Sequence, residues 1–298
     1  GSNDGNLLFN FKKYFNVLGV TPETIGKLAI QKGIPTILDY YNSKTTKLIL
    51  KKFGKANIIT ATNVFAHIDN IDDVIINIKK CLKKNGIFIS ESHYLLPLIK
   101  KLQYDTVYHE HLRYYSLHSL NYLFQKHKLE IFHAKEIGTH GGSIRVYVSR
   151  KGLYKKSKNL KKQFNTEKKF IDFKSLQKFS NRVLSSKIKL LKILNKLKLK
   201  KKSIAGISAP SRASTLINYV GINQDLINCI FEIKNSHKIG YYAPGTNIPI
   251  LEEKASSLKK YDFLILFSWH IADDLIKNIK KKGFKGKFII PLPEPKII

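Results

Sequence analysis

The sequence predicts an α/β protein made of two Rossmann-like units of unequal size, joined by Lys-rich helices. Three observations carry this reading. Short apolar runs alternate with helically spaced ones over residues 1–150, the pattern of a sheet with crossover helices. The alternation stops over 151–202, a Lys-rich, Gly-poor and Pro-free stretch, and resumes over 203–298. At 298 residues, 43% hydrophobic and 25% charged, the chain has a globular composition and the length of about two domains. No uninterrupted apolar run reaches the ~18 residues of a membrane-spanning helix. The first residues also lack the basic-then-apolar order of a signal peptide.

Taken in order, residues 15–20 read as a short buried strand, 21–23 as a helix start, 24–32 as a helix and 34–37 as a second extended piece. Residues 57–62 are a third strand. Val74, Ile75, Ile78, Cys81 and Leu82 recur at helical spacing over 71–82, and Asn85-Gly86 closes that helix before a strand over 87–91. A helix over 116–127 follows, then paired strands over 129–132 and 143–148. The stretch 151–202 reads as one or two long exposed helices bridging the units, with Leu184, Ile188, Leu191 and Leu194 on one face. Beyond it come a strand (203–207), a turn (209–212), a helix (213–219) and strands over 226–232, 262–267 and 288–290.

Lys plus Arg number 53 against 21 acidic residues, a formal charge of +32, which favours anionic partners. Only five of the 53 are Arg, and the lysines are spread along the chain with one dense run over 187–202. Such scatter is compositional. No aromatic-interleaved basic patch appears, so neither a specific nucleic acid nor a membrane is expected as partner. Cys81 and Cys229 form no C-x-x-C pair, so they read as small buried residues of a reducing, cytoplasmic protein, and no metal is expected.

The pentapeptide Gly1-Ser2-Asn3-Asp4-Gly5 resembles the turn after the first strand of a class I S-adenosylmethionine (SAM) methyltransferase, where glycine lets the backbone approach the cofactor. On this reading the first strand precedes Gly1, in keeping with a chain that contains no Met. Asn63 and His67 follow the strand ending at Thr62 and point toward a ligand, because ligands in open α/β sheets lie beyond strand carboxyl ends. Residues 104–111, Tyr-Asp-Thr-Val-Tyr-His-Glu-His, fit neither an amphipathic helix nor a buried strand and read as a loop at a cleft mouth. His109-Glu110-His111 lacks the i, i+4 spacing of helical zinc sites, so general acid/base work is the better match. Ser208 to Arg212, ahead of a helix, has the makings of a diphosphate cradle. Tyr242 opens a Pro-Gly turn that carries a candidate substrate contact. Arg145 is a candidate for a substrate or cofactor carboxylate, or for an inter-domain salt bridge. Trp269-His270 reads as a packed strand end.

The whole chain resembles the sugar C-methyltransferase family through GSNDG (1–5), NVFAH (63–67), YDTVYHEH (104–111), THGGSIRVYV (139–148), APSRASTLINY (209–219), YAPGTNIPI (242–250), LFSWHIADD (266–274) and PLPEP (291–295). The resemblance implies a class I methyltransferase domain over 1–150, a helical linker over 151–202 and an α/β substrate-binding domain over 203–298. It also implies SAM as cofactor and carbon methylation of a nucleotide-linked keto-deoxysugar. His111 would be the general base, alone or with Tyr108, and Glu110 and His67 would complete the cluster. Two departures stand out. The family's N-terminal Cys-rich zinc domain has no counterpart here, and Thr21 holds the place of an acidic ribose ligand, so that either Glu23 two residues on substitutes for it or cofactor affinity is reduced. A sugar O-methyltransferase and a non-catalytic, polyanion-binding fragment are the competing expectations; oligomeric state is open.

Overall fold

A computed structural model describes the backbone of residues 1–298 and every side chain except that of His140. The chain divides into two compact units, one of Gly1–Tyr94 with Leu112–Lys169, the other of Leu95–His111 with Phe170–Ile298. This differs from the consecutive division at 150 and 202. Residues 95–111 leave the first block for the second unit, and the 151–202 stretch is shared out rather than forming a linker of its own.

In chain order, the first stretch holds α1 (Asn6–Lys12), β1 (Gly19–Val20), α2 (Gly26–Gln31), β2 (Thr36–Ile37), α3 (Ser43–Lys52), β3 (Ala56–Thr62), α4 (Ile71–Cys81) and β4 (Leu82–His93). Residues 95–111 carry α5 (Leu95–Lys100) and a single 3₁₀ turn at Tyr104–Thr106. The first unit then resumes with α6 (Leu117–Lys126), β5 (Leu129–Ile137), β6 (Ser143–Arg150) and α7 (Lys158–Lys168). The remainder holds α8 (Phe173–Leu199), β7 (Ile204–Ile207), α9 (Ser211–Val220), β8 (Ile230–Glu232) and β9 (Ile250–Glu252). It ends with α10 (Ala255–Leu258), β10 (Phe263–Leu266), α11 (Ala272–Lys281), β11 (Lys287–Ile290) and β12 (Lys296–Ile297).

In the first unit β1 and β2 pair in parallel, while β3-β4-β6-β5 form a second sheet in which β3 and β4 are parallel and β6 runs antiparallel to both neighbours. Its core centres on Phe65, Phe88 and Phe124, whose ring centroids lie 5.4–6.3 Å apart. Strand β4 starts at Leu82, five residues before the expected 87, because Leu82 pairs with Ala56 across a register shift. Gly86 makes that possible: a Cβ there would lie 3.1 Å from the Ala56 carbonyl oxygen. Elsewhere β1 and β2 are shorter than the apolar runs at 15–20 and 34–37 suggested.

The second unit is a sheet in the order β9-β8-β7-β10-β11-β12, parallel except for β12. From β9 to β11 this is the Rossmann half-order 3-2-1-4-5, with its switch point between β7 and β10. Leu190 and Leu194 of α8 are fully buried in its core, so α8 is a packed helix with a lysine-rich outer face. Leu102 and Tyr104 share that core, which explains why residues 95–111 fold here.

Candidate active site

In the first unit the pentapeptide runs along the carboxyl end of β1, where the Ser2 amide donates to the Val20 carbonyl at 3.0 Å. Asn3 (φ 47°) and Gly5 (φ 75°) turn the loop through left-handed conformations. At Gly5 a Cβ would sit 2.7 Å from both Ala29 Cβ and Ile34 Cδ1, so only glycine lets α1 leave the loop against α2. Asp4 accepts from the Asn6 amide at 3.2 Å and from Lys32 at 3.3 Å, contacts that hold its carboxyl below the usual range. The buried Ser2 Oγ has no protein partner among the described residues. An orphan hydroxyl in a tight loop at a parallel strand end fits the polar edge of a nucleoside cofactor.

Thr21 follows β1 and is 1% exposed; its hydroxyl accepts from the Glu23 amide at 3.4 Å. Thr21 thus serves the local turn, while Glu23 is exposed at the same strand end. Asn63 (φ 53°) donates its amide to the Glu91 carbonyl at 2.8 Å, and His67 ends a 3₁₀ turn on the surface of this unit. Arg145 is spent on Glu91, which is 4% exposed and accepts from Nε at 2.8 Å and from Nη2 at 2.6 Å. That pairing raises the Arg145 pKa. It is a cross-strand pair in the β4–β6 register within one unit, in place of the ligand contact or inter-domain bridge expected.

The second unit brings Tyr108 and His111 together. The His111 amide donates to the Tyr108 carbonyl at 3.0 Å, closing a turn, and the rings lie 4.3 Å apart. His111 Nδ1 is 3.0 Å from the Thr106 carbonyl oxygen, and Nε2 is 3.0 Å from the Tyr108 hydroxyl. A carbonyl only accepts, so in the neutral ring Nδ1 carries the hydrogen and Nε2 takes the phenol's proton as acceptor. Burial, reinforced by the charge of Glu110, pushes the Tyr108 phenol above its usual 10.0. The arrangement is a neutral phenol donating to a basic imidazole nitrogen. Glu110 is exposed on the same turn, whereas His67 belongs to the other unit.

Arg212 is not left for a diphosphate. Its Nε and Nη2 donate to the buried Asp105 carboxylate at 2.7 Å each, and Nη1 lies 3.4 Å from His270 Nδ1. Trp269, expected as a packed strand end, instead opens a 3₁₀ turn beyond β10, where it is buried and also donates Nε1–H to Asp105 at 2.7 Å. Asp105 is the residue sequence reasoning passed over; an acid flanked by Tyr and Thr inside an aromatic motif was its only signal. Ser208 (φ 66°) anchors its amide on the Phe231 carbonyl at 2.8 Å, and Tyr242 is 61% exposed.

The C-methyltransferase C-terminal domain family matches residues 138–293 of this chain, and a methyltransferase domain family matches residues 1–134. The chain belongs to the C-methyltransferase family. As a member it is a SAM-dependent C-methyltransferase. It is 28% identical over 306 aligned positions to the C-methyltransferase NovU of Streptomyces niveus, covering 100% of this chain and 72% of that protein. Among solved structures, a SAM-dependent methyltransferase from Anabaena variabilis aligns at 15% identity and TM-score 0.40, over 50% of this chain and 74% of that one. One from Clostridium acetobutylicum aligns at 15% identity and TM-score 0.40, over 51% and 82%. In this C-methyltransferase the glycine loop and the Tyr108–His111 pair are carried by different units.

Proposed function

We propose that this C-methyltransferase methylates the carbon next to a ketone in a nucleotide-linked keto-deoxysugar, by way of an enolate, with His111 as the base. The observation that carries the reading is the Tyr108–His111 hydrogen bond with its Nδ1–H tautomer set by Thr106. As the substrate α-proton passes to the Tyr108 oxygen, the phenol proton passes to His111 Nε2. The products are an enolate, a neutral phenol and an imidazolium. When bound, SAM supplies the electrophilic methyl group that the enolate carbon takes. Gly1–Gly5, Asn63 and Glu23 are the residues proposed to hold it, and Glu110 is proposed to assist the pair from its own turn.

A nucleotide in the substrate is supported by the Rossmann half-order of the second unit. At its switch-point side, Glu232 ends β8 and accepts from the Ala209 amide at 2.7 Å, and Lys238 brings an ammonium to the Ala209 carbonyl at 2.6 Å. Ser208, the first turn of α9 and Tyr242 are the proposed nucleotide contacts. No helix among the described residues is long and apolar enough to cross a membrane. With two free, buried cysteines, we read the enzyme as cytoplasmic. The test is substrate α-proton exchange into deuterated solvent in the presence of S-adenosylhomocysteine. Wild-type protein should wash the proton out, and His111→Gln should slow this about 10²–10⁴-fold with SAM affinity retained. Methyl transfer without any washout would discard the enolate.

A further inference from the structure

We propose that Arg212 is a positioning residue for proton transfer: through Asp105 it holds residues 104–111 so that His111 keeps its tautomer and its bond to Tyr108. The proposal rests on the reading of that pair as the proton acceptor. Asp105 is 0% exposed, and a carboxylate removed from water persists only when its oxygens are well partnered. Arg212 meets it with two parallel N–H donors, and Trp269 adds a third. The guanidinium is itself enclosed, 5.1 Å from the Trp269 ring and hydrogen-bonded to His270.

This knot connects directly to the chemistry. Thr106, the residue after Asp105, supplies the carbonyl that holds His111 Nδ1 at 3.0 Å. One residue further, the Val107 carbonyl accepts from Thr215 Oγ1 at 3.0 Å, one turn beyond Arg212 on α9. Both side chains of α9 therefore fix the peptide that sets the imidazole tautomer. A lysine at 212 keeps the charge but loses the planar two-point grip, so the Thr106 carbonyl is released to move.

The measurement is ¹⁵N-histidine NMR of the full chain, with His111 assigned by its loss in His111→Gln, together with α-proton washout from a nucleoside-diphosphate keto-deoxyhexose. Wild-type His111 should show one Nδ1–H tautomer. Arg212→Lys should show a mixture, with washout slowed about 10²-fold and SAM affinity unchanged. The double variant Asp105→Leu/Arg212→Met removes the buried pair without stranding a charge, and should behave like Arg212→Lys while melting as the wild type does. A wild-type His111 spectrum and washout rate in either folded variant would overturn the proposal alone. Unchanged washout in His111→Gln would overturn the base assignment and this proposal together.

Discussion

The hydrogen bonds around single residues define what each can contribute. Tyr108 is held neutral by burial, with Glu110 adding to the effect, so it works as a donor rather than as a tyrosinate. Because its folded pKa lies above 10.0, folding favours the protonated phenol; that stabilisation is complete below pH 10.0 and is lost as pH rises through the folded value. A ¹³Cζ-tyrosine titration, with the resonance assigned by Tyr108→Phe, should place its midpoint above 10.0. A midpoint below that would remove the neutral-donor role. Replacing Tyr108 by Phe should leave SAM binding intact and reduce α-proton washout by at least about tenfold. Arg145, by contrast, should tolerate loss poorly for structural reasons. Arg145→Met leaves the buried Glu91 carboxylate without its guanidinium, the Thr139 hydroxyl remaining as a donor, and should destabilise the first unit by about 3–5 kcal/mol in urea unfolding.

Among the elements, the start of α6 is the best tied. Ser116 and Ser119 form a reciprocal capping box, and the buried Glu167 of α7 accepts from the Leu117 and His118 amides at 2.5 and 2.9 Å. The same carboxylate takes the Tyr94 hydroxyl at 2.9 Å and lies 2.5 Å from His118 Nδ1. A carboxylate with these partners at a helix N-terminus is stabilised by the helix dipole as well as by the bonds. Glu167→Ala strands both amides and the phenol, and should cost about 3 kcal/mol or more, read as a lower urea midpoint at unchanged m. Glu167→Gln, which keeps an acceptor, should cost less. The helical pattern over 151–202 was legible from its leucines, yet its apparent role as a linker was not. One glutamate and one leucine, Glu167 and Leu160, anchor α7 in the first unit, while Leu190 and Leu194 commit α8 to the second.

For the molecule as a whole, the chain passes between its two units three times, after Tyr94, His111 and Lys169. The segment between the first two passages carries the Tyr108–His111 pair. The chain carries a net charge of +32, so the anionic sugar nucleotide proposed as its substrate would be drawn in by long-range attraction. Raising ionic strength from about 20 to 200 mM, across the range where the Debye length falls below about 10 Å, should lower kcat/KM for such a substrate while leaving kcat unchanged. A salt-independent kcat/KM would mean that the lysines are compositional only.

Local pattern alone determined most of the elements: the α/β alternation, the helix starting at Ile71 and the β5–β6 pair follow from neighbours within a few positions. The partners of the charged residues did not. Arg145 finds Glu91 at a sequence separation of 54, Arg212 finds Asp105 at 107, and Trp269 finds Asp105 at 164. Such pairings are set by strand register and by which core a segment enters, and burial makes them obligatory, because a carboxylate taken out of water must acquire a cation or donors from whatever packs against it. Only the tertiary structure decided that Tyr104 and Leu102 join the second core, and with them the Tyr108–His111 turn that the linear order assigns to the first.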